Sequence, residues 1–124
     1  MLDAPTPAEI LDVVAKMIRD DFIPRLPPDA VFHARVAANA IDLVRRQLEQ
    51  GDALEAASLE RLQALLGQSG SAESLERELC ERIRDRRLGM NTPGLIEHLM
   101  ADTLAKMSID QPSYASYRAE ISNS

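Results

Sequence analysis

The chain has 124 residues, of which 45% are hydrophobic and 27% are charged. That length predicts a single domain and excludes a TIM barrel, and the composition excludes wholesale disorder. The formal net charge of -6 and the small number of aromatic residues, two Phe and two Tyr, argue against a nucleic-acid-binding surface. We therefore expect no nucleic-acid partner.

The cysteine content and the first residues predict a cytoplasmic protein. Cys80 is the sole cysteine, so it cannot form a disulfide within the chain, which suits a reducing compartment. Met1 to Pro5 carry neither the basic residues nor the apolar run of a signal peptide, and no apolar stretch approaches the ~20 residues of a membrane span. Because Cys80 lies beside an apolar line of positions, we expect a buried, inert thiol.

Helix formers dominate the sequence, because 17 Ala and 16 Leu stand against 5 Val and 3 Thr. A Thr-Pro-Ala-Glu start at Thr6 predicts a first helix from Pro7 to about Ile23. Asp29 is expected to cap a second helix, from Ala30 to about Gln50, which Gly51 would end. The first half of this second helix is apolar nearly all round, so we expect it to pack on more than one side at the centre of the fold.

Three further helices are predicted downstream by similar start and stop signals. They are a short third helix from Asp52 to about Leu66, a fourth, capped by Ser71, from Ala72 to Leu88 and ended by Gly89, and a fifth from Pro93 to about Asp110. Helical spacing predicts that their apolar residues face inward, among them Leu59, Leu62, Leu65, Leu66, Leu75, Leu79 and Leu95. The short connections favour antiparallel neighbours. The sequence thus predicts an all-α fold, a single five-helix bundle over residues 1–112, followed by a polar and mobile tail over residues 113–124.

Two polar residues stand out on the mostly apolar second helix, because a buried polar group needs a partner. One interpretation makes His33 and Asn39, with Arg35, a small ligand-binding site in a helical cleft. The other makes them internal hydrogen-bonding groups that fix how the helices dock. His33 and Asn39 are six residues apart, about 240° around a helix, which weakens the shared site.

Four arginines crowd the end of the predicted fourth helix: Arg82, Arg84, Arg86 and Arg87. Cations suit a helix C-terminus, and Glu78 with Arg82 forms a favourable pair one turn apart, so a structural role explains them. The functional interpretation is a patch for phosphate groups or for an acidic partner.

His98 and Asp102 are also one turn apart, a spacing that could orient an imidazole for base catalysis or for metal binding. The same spacing is typical of a surface pair, which Asp102 would continue with Lys106. Neither histidine follows an acidic residue by three positions, so a di-iron site is unsupported, and we expect no metal and no cofactor. No phosphate-binding glycine loop, nucleophile elbow or Cys-x-x-Cys pair is present in the sequence.

Several segments together resemble a bacterial family of small, uncharacterised helical proteins. They are residues 5–11, 32–41, 65–67, 79–84 and 104–112, of which the stretch from His33 to Asn39 is the most specific. Members of that family are often encoded beside proteins similar to acyl-CoA dehydrogenases and to aminoglycoside or choline-type phosphotransferases. The resemblance implies no catalytic residues for this chain.

These observations favour a non-enzymatic accessory protein that binds itself, as a homodimer, or a neighbouring metabolic enzyme through an exposed helix face. The alternative is a small-ligand binder or minor enzyme, for a nucleotide or an acyl-CoA, with a polar cleft around His33 and Asn39. A nucleic-acid module built on the arginine cluster is a third and weaker hypothesis, because the chain is acidic as a whole.

Overall fold

The computed structural model describes residues 4–123, and every regular element within them is helical, which confirms the all-α prediction. The α-helices of this range are α1 (Pro7–Met17), α2 (Pro28–Leu66), α3 (Ala72–Arg84), α4 (Leu95–Asp110) and α5 (Ala115–Ser122). After α1 the chain continues through a π-helical segment, Ile18–Phe22, and a 3₁₀ turn, Ile23–Arg25. No helix within the described range is long and apolar enough to cross a membrane.

Both helix starts that carry a hydroxyl cap form as the sequence predicts. The hydroxyl of Thr6 accepts a hydrogen bond from the backbone N–H of Glu9 at 3.2 Å. The hydroxyl of Ser71 accepts one from the backbone N–H of Ser74, also at 3.2 Å. Each bond satisfies a backbone donor that lacks a partner in the first turn of a helix, so local sequence alone fixes these two ends.

The predicted break between the second and third helices is wrong, because α2 runs unbroken for 39 residues. Asp29, Gly51 and Asp52 lie inside it and cap nothing. The glycines with a positive φ are instead Gly67, directly after α2, and Gly94, directly before α4. A single internal glycine costs a helix only about 1 kcal/mol, and the alanine- and leucine-rich residues that follow Gly51 are strong helix formers.

The contacts divide the chain into two compact units, the first ending at Gly51 and the second beginning at Asp52. The boundary falls within α2. Helix α5, Ala115–Ser122, lies within the predicted polar tail and contacts α4.

In the first unit, α1 and the first part of α2 pack as an antiparallel hairpin. Arg19 donates to Asn39 at 2.8 Å and pairs with Asp42 at 2.7 Å, and Arg45 lies 3.9 Å from Asp12. Among residues 4–51, Ala15 and Ala38 are the fully buried hydrophobic residues, and the larger apolar side chains are half-buried or exposed. The prediction that the Ala30–Gln50 segment lies at the centre is therefore wrong.

The exposed side chains of that segment show why the prediction fails. Phe32 is 70% exposed, and Val36, Leu43, Val44 and Leu48 are also exposed. The segment is apolar on several sides, but within the described residues only one of these sides is covered. A helix that is apolar on all sides can therefore bury each of these sides, but the sequence does not show how many of them are buried within a single chain.

The second unit holds the core of large side chains. Leu62 and Leu66 of α2, Leu75 and Leu79 of α3, and Leu95 of α4 form one buried cluster. Leu59, Leu65 and Leu88 pack against it from partly exposed positions. All the helices that contribute here lie in the Leu-rich half of the sequence, as the predicted inward-facing positions indicate.

The end of α3 differs from the prediction by four residues. The backbone N–H of Arg87 donates to the carbonyl of Arg82 at 2.8 Å, and that of Arg86 donates to the carbonyl of Ile83 at 3.1 Å. This pair of bonds is the Schellman motif, which requires a left-handed residue at its centre. Arg86 takes that conformation with a φ of 62°, so it ends the helix in place of Gly89.

Candidate functional site

The structure does not gather the three residues of the predicted polar cleft. All three are exposed on α2: the ring of His33 meets the ring of Phe32 edge-on at 5.6 Å, and the side chain of Asn39 accepts from Arg19 within the hairpin. Arg35 and Asn39 are one turn apart on one side of the helix, and His33 lies on another side. A ligand-binding role for His33, Arg35 and Asn39 stays a prediction.

The arginine cluster divides into one internal residue and three exposed ones. Arg82 is half-buried and uses its whole guanidinium. Its Nε donates to Glu78 at 2.8 Å, Nη1 donates to the carbonyl of Leu66 at 3.2 Å, and Nη2 donates to Gln68 at 3.2 Å. Arg82 thus satisfies a carbonyl at the end of α2 and connects α3 to the loop that follows α2. The Glu78–Arg82 pair is confirmed.

The other three arginines are exposed. Arg87 pairs with Asp85 at 3.2 Å and lies 3.9 Å from Glu78, the partner of Arg82, and Arg86 is the left-handed residue of the helix end. Acidic side chains interleave with these cations, so the local charge is mixed. An anion or partner patch at Arg82, Arg84, Arg86 and Arg87 stays a prediction.

The best-defined polar cluster lies in the second unit, where α4 runs antiparallel to the second part of α2. Arg61 of α2 donates from Nε to His98 Nδ1 at 3.3 Å and from Nη2 to Asp102 Oδ1 at 2.8 Å. His98 Nε2 lies 3.5 Å from Asp102 Oδ2, so each of the three residues contacts the other two. His98 is only 3% exposed, so the expected surface pair is in fact a buried one.

Hydrogen bonds and charges position the members of this triad. Nδ1 of His98 accepts a hydrogen bond from Arg61, and its Nε2 faces Asp102. Burial acts to raise the pKa of Asp102, but hydrogen bonds from Ser58 and Arg61 and the charges of His98 and Arg61 outweigh it, so the pKa lies below its ordinary value. Asp102 pairs with Arg61 across the helices and not with Lys106.

A shallow groove of about 330 Å³ opens beside this triad. It is lined by Ala64, Leu65, Pro93 and Gly94 together with the charged or polar side chains of Arg61, Glu97 and His98. Both nitrogens of His98 face Arg61 or Asp102, so the triad holds α4 against the second part of α2.

Two features bear on the predictions for metal binding and for the thiol. Residues 4–123 contain no group of three or more His, Cys, Asp and Glu side chains that could hold a metal ion. Cys80 is exposed, which corrects the expectation of a buried thiol. It follows Leu79 by one residue, about 100° around α3, and this turns it away from the leucine core.

The hairpin of the first unit carries the largest unexplained feature, which we call the apolar face. It is formed by Ile10, Val14 and Met17 of α1 and by Ala37, Ile41, Val44 and Leu48 of α2. Of these side chains all but Ile41 are exposed to solvent, and Ile41 is half-buried. Along α2 these residues are spaced by four, three and four positions, and along α1 by four and three. This spacing keeps the members on each helix along one side of it.

The opposite side of the hairpin is charged and internally paired. Asp12, Arg19 and Asp42 lie about 100–160° around their helices from the nearest members of the apolar face. Lys16 contacts Asp12 at 2.9 Å, and the hydrogen bond from Lys16 is the main reason that the pKa of Asp12 lies below its ordinary value. The hairpin is thus amphipathic as a whole, with its ion pairs on one side and uncharged side chains on the other.

A family described as a domain of unknown function, DUF6285, matches residues 24–114, well over half of the chain. The chain belongs to this family. The matched range of DUF6285 contains α2, α3 and α4, and with them the Arg61–His98–Asp102 triad, the arginine cluster and the α2 line of the apolar face. No curated protein and no solved structure is detectably similar to the chain.

Proposed function

We propose that the protein is a non-enzymatic accessory protein of the cytoplasm that acts by binding another protein chain through the apolar face. One observation carries this proposal: the described part of the hairpin buries fully only the side chains of Ala15 and Ala38 and leaves a line of large apolar side chains exposed along both of its helices. Contiguous exposed apolar surfaces of this kind are typical of protein interaction sites.

The second unit fits the role of a scaffold for that surface. Its leucine core and His98 of the Arg61–His98–Asp102 triad account for its buried side chains in the described residues, apart from Ile109. The members of the triad bind one another, which supports a structural role for them. Candidate partners follow from the family resemblance, which implies gene neighbours similar to acyl-CoA dehydrogenases and to phosphotransferases in bacteria. These two classes are the first partner proteins to test.

Site-specific photo-cross-linking in the native host tests this proposal. A photoreactive amino acid replaces Val44, on the apolar face, and in a second strain it replaces Val36. The two residues are matched, since both are valines of α2 with exposed fractions of 48% and 49%. Val44 follows Val36 along α2 by two turns and a fraction, so the two side chains lie about 80° apart around the helix.

We expect position 44 to give a discrete cross-linked species of defined mass and position 36 to give little or none. The mass of the product then separates a second copy of the chain from a different protein. Equal cross-linking from the two positions, or none from position 44, would contradict the proposed function.

A further inference from the structure

We propose that the occupant of the apolar face is a second copy of this chain, so that two hairpins assemble into a four-helix arrangement. This inference rests on the proposed function and adds the identity of the partner. It follows from the register of the hairpin, from the spacing of the apolar lines, from the area they offer and from their lack of charge.

The ion pairs fix the register of the two helices. Arg19 meets Asn39 and Asp42, and Asp12 lies opposite Arg45. In this register six of the seven members of the apolar face fall into three levels across the hairpin, and Ala37 lies beyond them. Ile10 is level with Leu48, Val14 with Val44, and Met17 with Ile41. Each level pairs one large apolar side chain from each helix, as the layers of a helical bundle do.

The spacing along each helix is that of a bundle seam. Members of the face alternate steps of four and three residues on both α1 and α2, which is the pattern that packs knobs into holes at small crossing angles. Each helix of the hairpin also has a second apolar side that already faces its neighbour, marked by Ala15 and Ala38. A helix with two apolar sides is suited to a position between two neighbouring helices. A second hairpin would supply the second neighbour.

The area of the face is sufficient for a stable dimer. Its five exposed large side chains present on the order of 400 Å² of apolar surface per chain, so two copies would bury about 800 Å² of it. Because about 65% of a homodimer interface core is apolar, the total reaches about 1,200 Å², where specific and stable interfaces begin. The flanking alanines of α2 add to this area and allow the helices to approach closely.

The absence of charge within the face favours an identical partner. None of its seven members is ionisable, so two copies can meet there without repulsion although the chain carries a net charge of -6. A two-fold axis that lies in the plane of the interface brings each apolar level of one copy against an apolar level of the other copy. Homodimer interfaces are also more apolar than those of proteins that part and reassociate.

Analytical ultracentrifugation of the full chain over a concentration series, in the presence of a reductant, tests the inference. We expect a dimer at micromolar concentration. Val44→Glu should weaken the association at least 100-fold, because it places a charge at the middle level of the interface. Val36→Glu, the matched control, should change the dissociation constant by less than threefold.

Circular dichroism establishes that each variant keeps its helix content. If Val44→Glu fails to fold, Leu48→Gln on the outer level replaces it, with an expected weakening of at least tenfold. A monomer at every concentration, or a dimer that Val44→Glu and Leu48→Gln leave intact, would overturn the inference. If position 44 then still cross-links to a different protein in the host, the proposed function survives without the dimer. If it cross-links to nothing, both fail together.

Discussion

The two units of the chain bury very different amounts of large apolar side chain, although their sequences are similarly rich in such residues. The second unit gathers five leucines into one core. The first unit buries Ala15 and Ala38 and exposes Ile10, Phe32 and Leu48, among others. A hairpin of two helices has a small interior, and under the proposal made above a second copy of the chain covers its remaining apolar surface.

The largest expected effect contrasts the interiors of the two units. Leu62 is 0% exposed in the second unit, and Leu62→Ala should lower the free energy of unfolding by about 3–4 kcal/mol, because it leaves a cavity in a packed core. Leu43→Ala, on the exposed side of α2 in the first unit, should cost less than about 1 kcal/mol. Urea unfolding measures both, and similar losses for the two variants would contradict the assignment of the core to the second unit.

The next effect concerns the buried triad. Asp102→Asn removes the carboxylate that pairs with Arg61, and it should lower the free energy of unfolding by about 2 kcal/mol. Asp110→Asn, an exposed position near the end of α4, is the charge-matched control and should change stability by less than about 0.5 kcal/mol. A loss at Asp110 as large as that at Asp102 would argue against the triad.

The same carboxyl gives a pH dependence of known sign. The pKa of Asp102 is lower in the folded chain than in the unfolded one, so its contribution to stability is fully present above the unfolded pKa. That contribution is lost as the pH falls from about 4 through the folded pKa. As the pH drops through this window, the wild type should unfold at a progressively lower denaturant concentration. In Asp102→Asn the denaturant midpoint should depend less on pH.

A smaller effect separates the members of the arginine cluster. Arg82→Lys keeps the charge but loses the planar group that donates to Glu78, Leu66 and Gln68 at once, so it should cost about 1 kcal/mol. Arg84→Lys, at an exposed position of the same helix, should be neutral within about 0.3 kcal/mol. Thermal unfolding of the two variants side by side tells the internal arginine from the exposed one.

The smallest effect lies at the boundary of the two units. Gly51→Ala should raise the free energy of unfolding by about 0.5–1 kcal/mol, because alanine is the better helix former at a position inside α2. An added Cβ would meet the amide end of Gln47, which is flexible enough to move away. A loss of stability would show that the chain needs glycine at this boundary for a reason other than helix propensity.

Local signals in the sequence predict much of the secondary structure. Thr6 and Ser71 cap the helices that they are expected to cap, since the hydrogen bonds concerned span three residues. The inward-facing leucines near Leu62 and Leu75 were likewise predictable from helical spacing. The break at Gly51 was wrong, because a stop signal in isolation does not outweigh strong helix formers on both sides of it.

The candidate sites were less predictable, because their geometry depends on which helices meet. The pairing of His98 with Asp102 is visible in the sequence as a spacing of four residues. Arg61, which contacts both, lies on another helix and precedes His98 by 37 residues. Asn39 was expected to need a partner, and the register of the hairpin supplies Arg19. The apolar face was hidden, because the same spacing in α2 is equally compatible with a fully buried helix.

The position of Cys80 bears on every measurement of association. Its thiol is the sole one in the sequence and lies on the solvent side of α3, in the unit that does not carry the apolar face. Air oxidation can therefore join two molecules covalently at a place unrelated to their hairpins. The same thiol is also a natural attachment point for a fluorophore or spin label, since it can report on self-association without any substitution in the surface under study.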